Sequence, residues 1–193
     1  MTIRRNVAIY AALAVFLVGG LGVLFFVGPR WLSTPVENPV QVPAVAEARK
    51  IHVRLFYVAE DGQHLLPVDQ EVPYGETTTE QAKRLIEAAL TPPPSPYVSA
   101  IPSGTKLRAL FLTGKGEAYI DLSNEVQKDH SGGTTGEILT VYSLVDTLTA
   151  NLPAITGVQL LIDGKETDSL AGHLDLRRPL EQNLDYANRQ SNP

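Results

Sequence analysis

Asp121, Asp129, His130 and Ser131 fall close together in the stretch 121–133, DLSNEVQKDHSGG, which ends in a glycine pair. An acid, an imidazole and a hydroxyl are the parts of a hydrolytic relay, and glycines ahead of a helix are the parts of an anion cradle. The relay needs a base within hydrogen-bond reach of its nucleophile, and adjacent loop residues such as His130 and Ser131 usually point apart. No Gly-x-Ser-x-Gly elbow occurs in the chain. The cradle lacks the Lys-Ser/Thr of a phosphate loop, and Glu137 brings its own negative charge to the same helix start.

The remaining chemistry-bearing residues are less organised still. Asp121, Glu125 and Asp129 recur every four residues but lack the central Gly and closing Glu of a calcium loop. His52, His64 and His173 are scattered, without the i, i+4 spacing or carboxylate company of a zinc site. Asp61 and Asp163 each precede glycine and read as turn residues. The sequence therefore assigns no catalytic residue, no metal ligand and no cofactor, and leaves the loop around His130 exposed and tolerant of change.

The same loop has a structural reading in full. Thr134 and Glu137 have capping-box spacing ahead of an apolar stripe, as do Thr77 and Glu80 earlier in the chain. Gly132 and Gly133 stand where the chain turns into that helix. Asp121 and Ser123 close a strand.

The positioning elements follow from periodicity. Residues 51–58 alternate as a strand, and 65–72 return as a second one across an Asp-Gly turn, with Pro67 marking an edge or an irregular start. Residues 77–91 switch to helical period, with Ala82, Leu85, Ile86, Ala89 and Leu90 on one stripe, and the prolines from 92 onward end the helix. Residues 106–112 and 117–122 form a hairpin over a Gly-rich turn. A second helix spans 134–151, with Ile138, Val141, Val145 and Leu148 on one face, and a strand spans 157–162 before a Asp-Gly turn. Residues 173–176, HLDL, are a weak strand candidate. The expected fold is α+β in the order β-β-α-β-β-α-β, a mainly antiparallel sheet of about five strands with both helices on one face.

The chain has 193 residues, 44% of them hydrophobic, and no cysteine, so disulfides, thiolate metal sites and a thiol-linked lipid are excluded. Its net charge is −5, yet residues 1–50 hold five basic residues against two acidic ones, so the acidity lies in the remainder. An acidic domain repels phosphate backbones, and nucleic acid is not an expected partner. Residues 7–27 run for 21 positions without a charge, long enough as a helix to cross ~30 Å of hydrocarbon. Arg4 and Arg5 before the run keep residues 1–6 in the cytoplasm, which makes 7–27 a transmembrane signal-anchor and places the rest on the extracytoplasmic side. Residues 28–50 contain Pro29, Pro35, Pro39 and Pro43 and read as an extended tether of at most ~70 Å. The folded domain is expected over 51–180, with a polar tail over 181–193.

The order and spacing of several segments resemble a known family. VRLFYVAEDGQHLLPVDQEVP, LIEAAL, AIPSGTKLRALFLTGKGEAYIDLS, GGTTGEILTVYSLVDTLTANLPAITGVQLLIDGKE and GHLDLRRPL together are similar to a GerMN domain of the sporulation and spore-germination GerM type. The motif residues are Pro102, Gly104, Thr105, Asp121, Ser123, Glu137, Ser143, Thr147, Asp163 and Gly164, with structural roles implied for them. The resemblance implies a membrane-tethered, envelope-facing module without known catalytic residues. Some members carry two copies and act in assembly of a transenvelope complex, and their domains look like ring-building motifs; a single copy is present here, with a transmembrane anchor in place of a lipid. The expected function is non-enzymatic interaction with another envelope protein or self-association. The alternative is binding of peptidoglycan or other cell-wall glycan through Tyr97, Tyr119 or Tyr142, and the third reading is a hydrolase at His130 and Ser131.

Overall fold

The computed structural model describes residues 49–187, so the expected anchor at 7–27, most of the tether and the last residues of the tail lie outside the described residues. Two strands open the fold. β1 (Lys50–Val58) and β2 (Leu65–Pro73) pair antiparallel from Lys50 against Pro73 to Val58 against Leu65. Val53, Leu55 and Tyr57 turn inward while Lys50, His52 and Arg54 face solvent, as period-two alternation requires.

Helix α1 (Thr78–Ala89) buries the stripe Ala82, Leu85, Ile86 and Ala89. Its start is capped as the spacing indicates: Thr77 Oγ1 accepts the Glu80 amide at 3.1 Å. The Glu80 carboxylate reaches one residue beyond the cap, accepting the Glu76 amide at 2.9 Å.

Strands β3 (Leu107–Leu112) and β4 (Glu117–Leu122) form the second hairpin. A short helix, α2 (Glu125–Lys128), occupies the loop that follows, and α3 (Thr134–Asn151) crosses over to β5 (Gly157–Ile162). A two-residue strand, β6 (Lys165–Glu166), folds back over Asp163 and Gly164, whose φ angles of 50° and 77° suit a tight hairpin turn. A 3-10 turn at Leu184–Tyr186 ends the described chain.

The α+β class is observed, but the single five-stranded sheet is not. The strands form two sheets, one of β1 and β2 and one in the order β3-β4-β5-β6, and β4 runs parallel to β5. The reason lies in α3. A helical crossover between neighbouring strands makes them parallel, which an antiparallel reading of the element order does not anticipate. Moreover, every residue from Leu139 to Leu148 is buried, so α3 is no one-sided surface helix and needs cover on more than one face. The β1–β2 hairpin supplies the second cover: α3 touches β1 and β5, and α1 touches β1, β2 and β3. Each of these two helices thus touches strands of both sheets.

Residues 173–176 form an irregular loop, not a strand. Leu176 is buried there, and its carbonyl accepts the Gln159 side-chain amide from the outer face of β5. Further along, Leu180 and Val158 exchange two backbone hydrogen bonds at 2.8 and 2.9 Å.

Candidate functional site

The loop between β4 and α3 places Asp129, His130 and Ser131 on the wall of a cleft of about 320 Å³, with Val58, Val98, Ile101 and Thr140 opposite and beside them. His130 is not the exposed, tolerant residue that the sequence suggests. Its Nδ1 accepts the Gly132 amide at 2.9 Å, which leaves the ring proton on Nε2 to face Thr140 Oγ1 at 3.1 Å. Thr140 in turn donates to the Ala100 carbonyl at 2.6 Å. The imidazole thereby joins three segments, the loop itself, α3 and residues 99–101, and both ring nitrogens are occupied. Ser131 is exposed and is not a hydrogen-bond partner of His130. The parts of a relay are adjacent in sequence, but the geometry spends the base on architecture.

Thr134 and Glu137 do not form a capping box. The cap of α3 is Gly133, at φ 83°, and no side chain caps it. Glu137 is instead fully enclosed. Its Oε1 accepts the Leu170 amide at 2.8 Å, and its Oε2 accepts the His173 amide at 2.8 Å with the His173 ring at 3.2 Å. Burial alone pushes this carboxyl up, but backbone amides of residues 170–174 outweigh it and hold the group below its ordinary value. With the loop 170–174 wrapped around it, the carboxylate has no freedom to turn back to the helix start. Position-three spacing specifies a capping box only when that first turn faces solvent.

Most of the other motif residues also have hydrogen-bond partners within the fold. Asp121 Oδ1 accepts the Gly164 amide at 2.7 Å, and Arg108 bridges Asp121 and Asp163, fixing β3 to the β5–β6 turn. Ser123 Oγ accepts the Lys106 amide at 2.9 Å, and its hydroxyl holds the Glu125 carboxyl below its ordinary value. Asp121 and Glu125 have different partners, and among the described residues Asp121, Glu125 and Asp129 form no cluster that could hold a metal ion. Thr105 Oγ1 donates to the Pro102 carbonyl at 2.7 Å across a turn in which Gly104 has φ 86°. Ser143 donates to the Thr140 carbonyl at 2.8 Å, whereas the buried hydroxyl of Thr147 has no partner among the described residues.

The tyrosines separate. Tyr142 is buried against Tyr186, with ring centroids 4.7 Å apart. Tyr97 stacks on Tyr57 at 6.1 Å and lines a second cleft with Asp61, His64 and Pro96. Tyr119 sits on the outer face of the larger sheet, paired across β3–β4 with Phe111.

Phe111 was not singled out by the sequence, and it is 58% exposed. Its setting follows from an account of the sheet edges. Along β1, the outward backbone groups of Arg54 are taken by Asn151, whose Oδ1 accepts the Arg54 amide at 2.8 Å and whose Nδ2 donates to the Arg54 carbonyl at 2.7 Å. The outward amide of Val58 donates to the Val98 carbonyl at 2.9 Å. The same phase turns residues 67 and 73 of β2 outward, and both are proline, with no amide to offer. β3 differs. Thr113 donates to the Glu117 carbonyl, so the amides of Leu110 and Leu112 face away from β4 along the edge of the sheet. Beside that edge stands Phe111. An alternating strand with one large apolar residue on its polar phase is the sequence signal that could have marked it.

These observations define a small α+β module in which several buried polar groups hold loops, and in which one strand edge carries an exposed aromatic residue. A family model described as Germane: Sporulation and spore germination matches residues 54–168, and the chain belongs to this family. Among solved structures, a lipoprotein from Clostridium perfringens is 25% identical, with a TM-score of 0.50 over 68% of this chain and 87% of that one. The first GerMN domain of the sporulation protein GerM from Bacillus subtilis is 22% identical, with a TM-score of 0.53 over 68% of this chain and 97% of that one. The tandem GerMN domains of the same protein match at 20% identity and a TM-score of 0.54, over 71% of this chain but only 48% of that one. The chain thus spans about one of the two domains. A comparison with curated protein sequences returns no match.

Proposed function

We propose that this protein is a non-enzymatic, membrane-tethered module that acts on the extracytoplasmic side in cell-envelope or sporulation-related assembly, by binding another envelope protein or a second copy of itself. The observation that carries the reading is the β3 edge: the outward amides of Leu110 and Leu112 beside an exposed Phe111, whereas Asn151 and Val98 interrupt the β1 edge and two prolines interrupt the β2 edge. Strand addition at such an edge supplies main-chain hydrogen bonds for affinity and a side chain for specificity. Membership of a sporulation family supports the setting, and the uncharged run at 7–27 supports the tether. The test is Phe111→Lys, which places a charge beside the edge without altering a buried contact. Association or co-purification with envelope proteins is expected to fall at least tenfold while the melting temperature holds; retained association contradicts the reading.

A second reading rests on Tyr97. Its stacked ring, beside Pro96 and the polar side chains of Asp61 and His64, has the make-up of a sugar-stacking platform. Sedimentation of the domain with purified cell-wall sacculi, lost on Tyr97→Ala, is its test.

A further inference from the structure

Asp146 is fully buried on α3, and no ion pair among the described residues involves it. One carboxylate oxygen accepts the Asn183 amide at 3.0 Å, and the other has no hydrogen-bond partner among the described residues. The carboxylate is therefore one contact by which α3 receives the last described segment of the chain. Around it, Tyr142 of α3 packs on Tyr186 of the 3-10 turn, and Asn183 caps that turn by accepting the Asp185 amide at 3.1 Å. The titratable group facing Asp146 is Tyr142 on its own helix, which itself faces Tyr186 on the covering segment; among the described residues the elements α1, β1 and β5 contribute none that pairs with Asp146.

We propose that residues 183–187 form a latch on α3 that acid tightens: it closes firmly over Asp146 when the carboxyl carries a proton and loosens when the carboxyl is ionised. A buried, half-partnered carboxylate is costly in its charged form, and opening the latch returns it to water. Desolvation accordingly raises the group from 3.8 to about 6, against a smaller opposing effect of the Asn183 amide. The sign follows. The closed form binds the proton more tightly than the open form, so closure strengthens as pH falls from about 7 toward 4 and levels off below. In contrast to Glu137, whose carboxylate is ringed by donors, Asp146 has one donor for two oxygens, and only the latter gains from protonation.

Hydrogen–deuterium exchange on the full chain in detergent micelles, corrected for intrinsic exchange, tests the latch. Between about pH 7.5 and pH 5, protection of residues 183–187 should rise by up to about tenfold, the ratio that follows from a group moving between the two values given above. Asp146→Asn, which mimics the protonated form, should show the acid level of protection at both pH values. Unchanged wild-type protection across that range, or an Asp146→Asn latch looser than wild type at about pH 7.5, overturns the proposal. If the variant does not fold, carbon NMR of the Asp146 carboxyl in the wild-type chain decides instead: a midpoint near 6 supports the latch and one below 4.5 refutes it.

Discussion

Glu137 accepts the backbone amide of His173 at 2.8 Å across 36 residues of sequence, with no exposure of its own to solvent. One carboxylate on the first turn of α3 thus organises the loop of residues 170–174. Replacing it with glutamine puts an amide donor where backbone donors already point. Glu137→Gln is expected to cost about 3 kcal/mol, read as a lowered midpoint in urea denaturation. Its cost should exceed that of any exposed acid in the domain.

The same carboxylate gives a pH signature. Its folded value lies below the ordinary 4.5, so its contribution is complete above 4.5 and is lost as pH falls through the folded value. Wild-type stability should therefore decline below about pH 4 more steeply than that of Glu137→Gln. Parallel acid-denaturation curves for the two proteins would show that the amide ring around Glu137 contributes nothing.

His130 and Ser131 should part company on mutation. His130→Ala leaves the Gly132 amide and the Thr140 hydroxyl each without the imidazole and is expected to cost about 1–2 kcal/mol with the fold retained. Ser131→Ala should stay within about 0.5 kcal/mol, as exposed substitutions do. Chemical denaturation of both variants separates this outcome from a hydrolytic pair, whose two members would instead share a loss of turnover.

Asn151 closes the β1 edge through both ends of its side-chain amide. Asn151→Ala should cost about 1–2 kcal/mol and speed exchange of the Arg54 amide specifically. Equal exchange at Arg54 in both proteins would mean that the edge is guarded by something else.

The element order was readable because its signals are local. Alternation at 51–58, the stripe at Ala82, Leu85, Ile86 and Ala89, and Asp163-Gly164 each act over a few residues, and each is realised where the pattern puts it. What escaped reading was decided at long range. Thr134 and Glu137 carry the same spacing as Thr77 and Glu80, yet only the second pair meets solvent on its first turn; the loop from 170 onward claims Glu137 first. Assembly into two sheets depended on α3 being buried all round, which the apolar residues beyond its main stripe, together with the buried Asp146, signal only in retrospect. At the loop 121–133, residue types alone overstated the chemistry, because they do not say which partner each side chain has already found.

The most direct measurement is site-specific photo-crosslinking in intact membranes, with benzoylphenylalanine placed at position 111 on the β3 edge and, separately, at position 71 on the proline-guarded β2 edge. A discrete protein adduct at position 111, of a second copy or of one envelope protein, with none at position 71, is the expected result. No adduct at position 111, or an equal one at position 71, would contradict the β3 edge as the interaction surface.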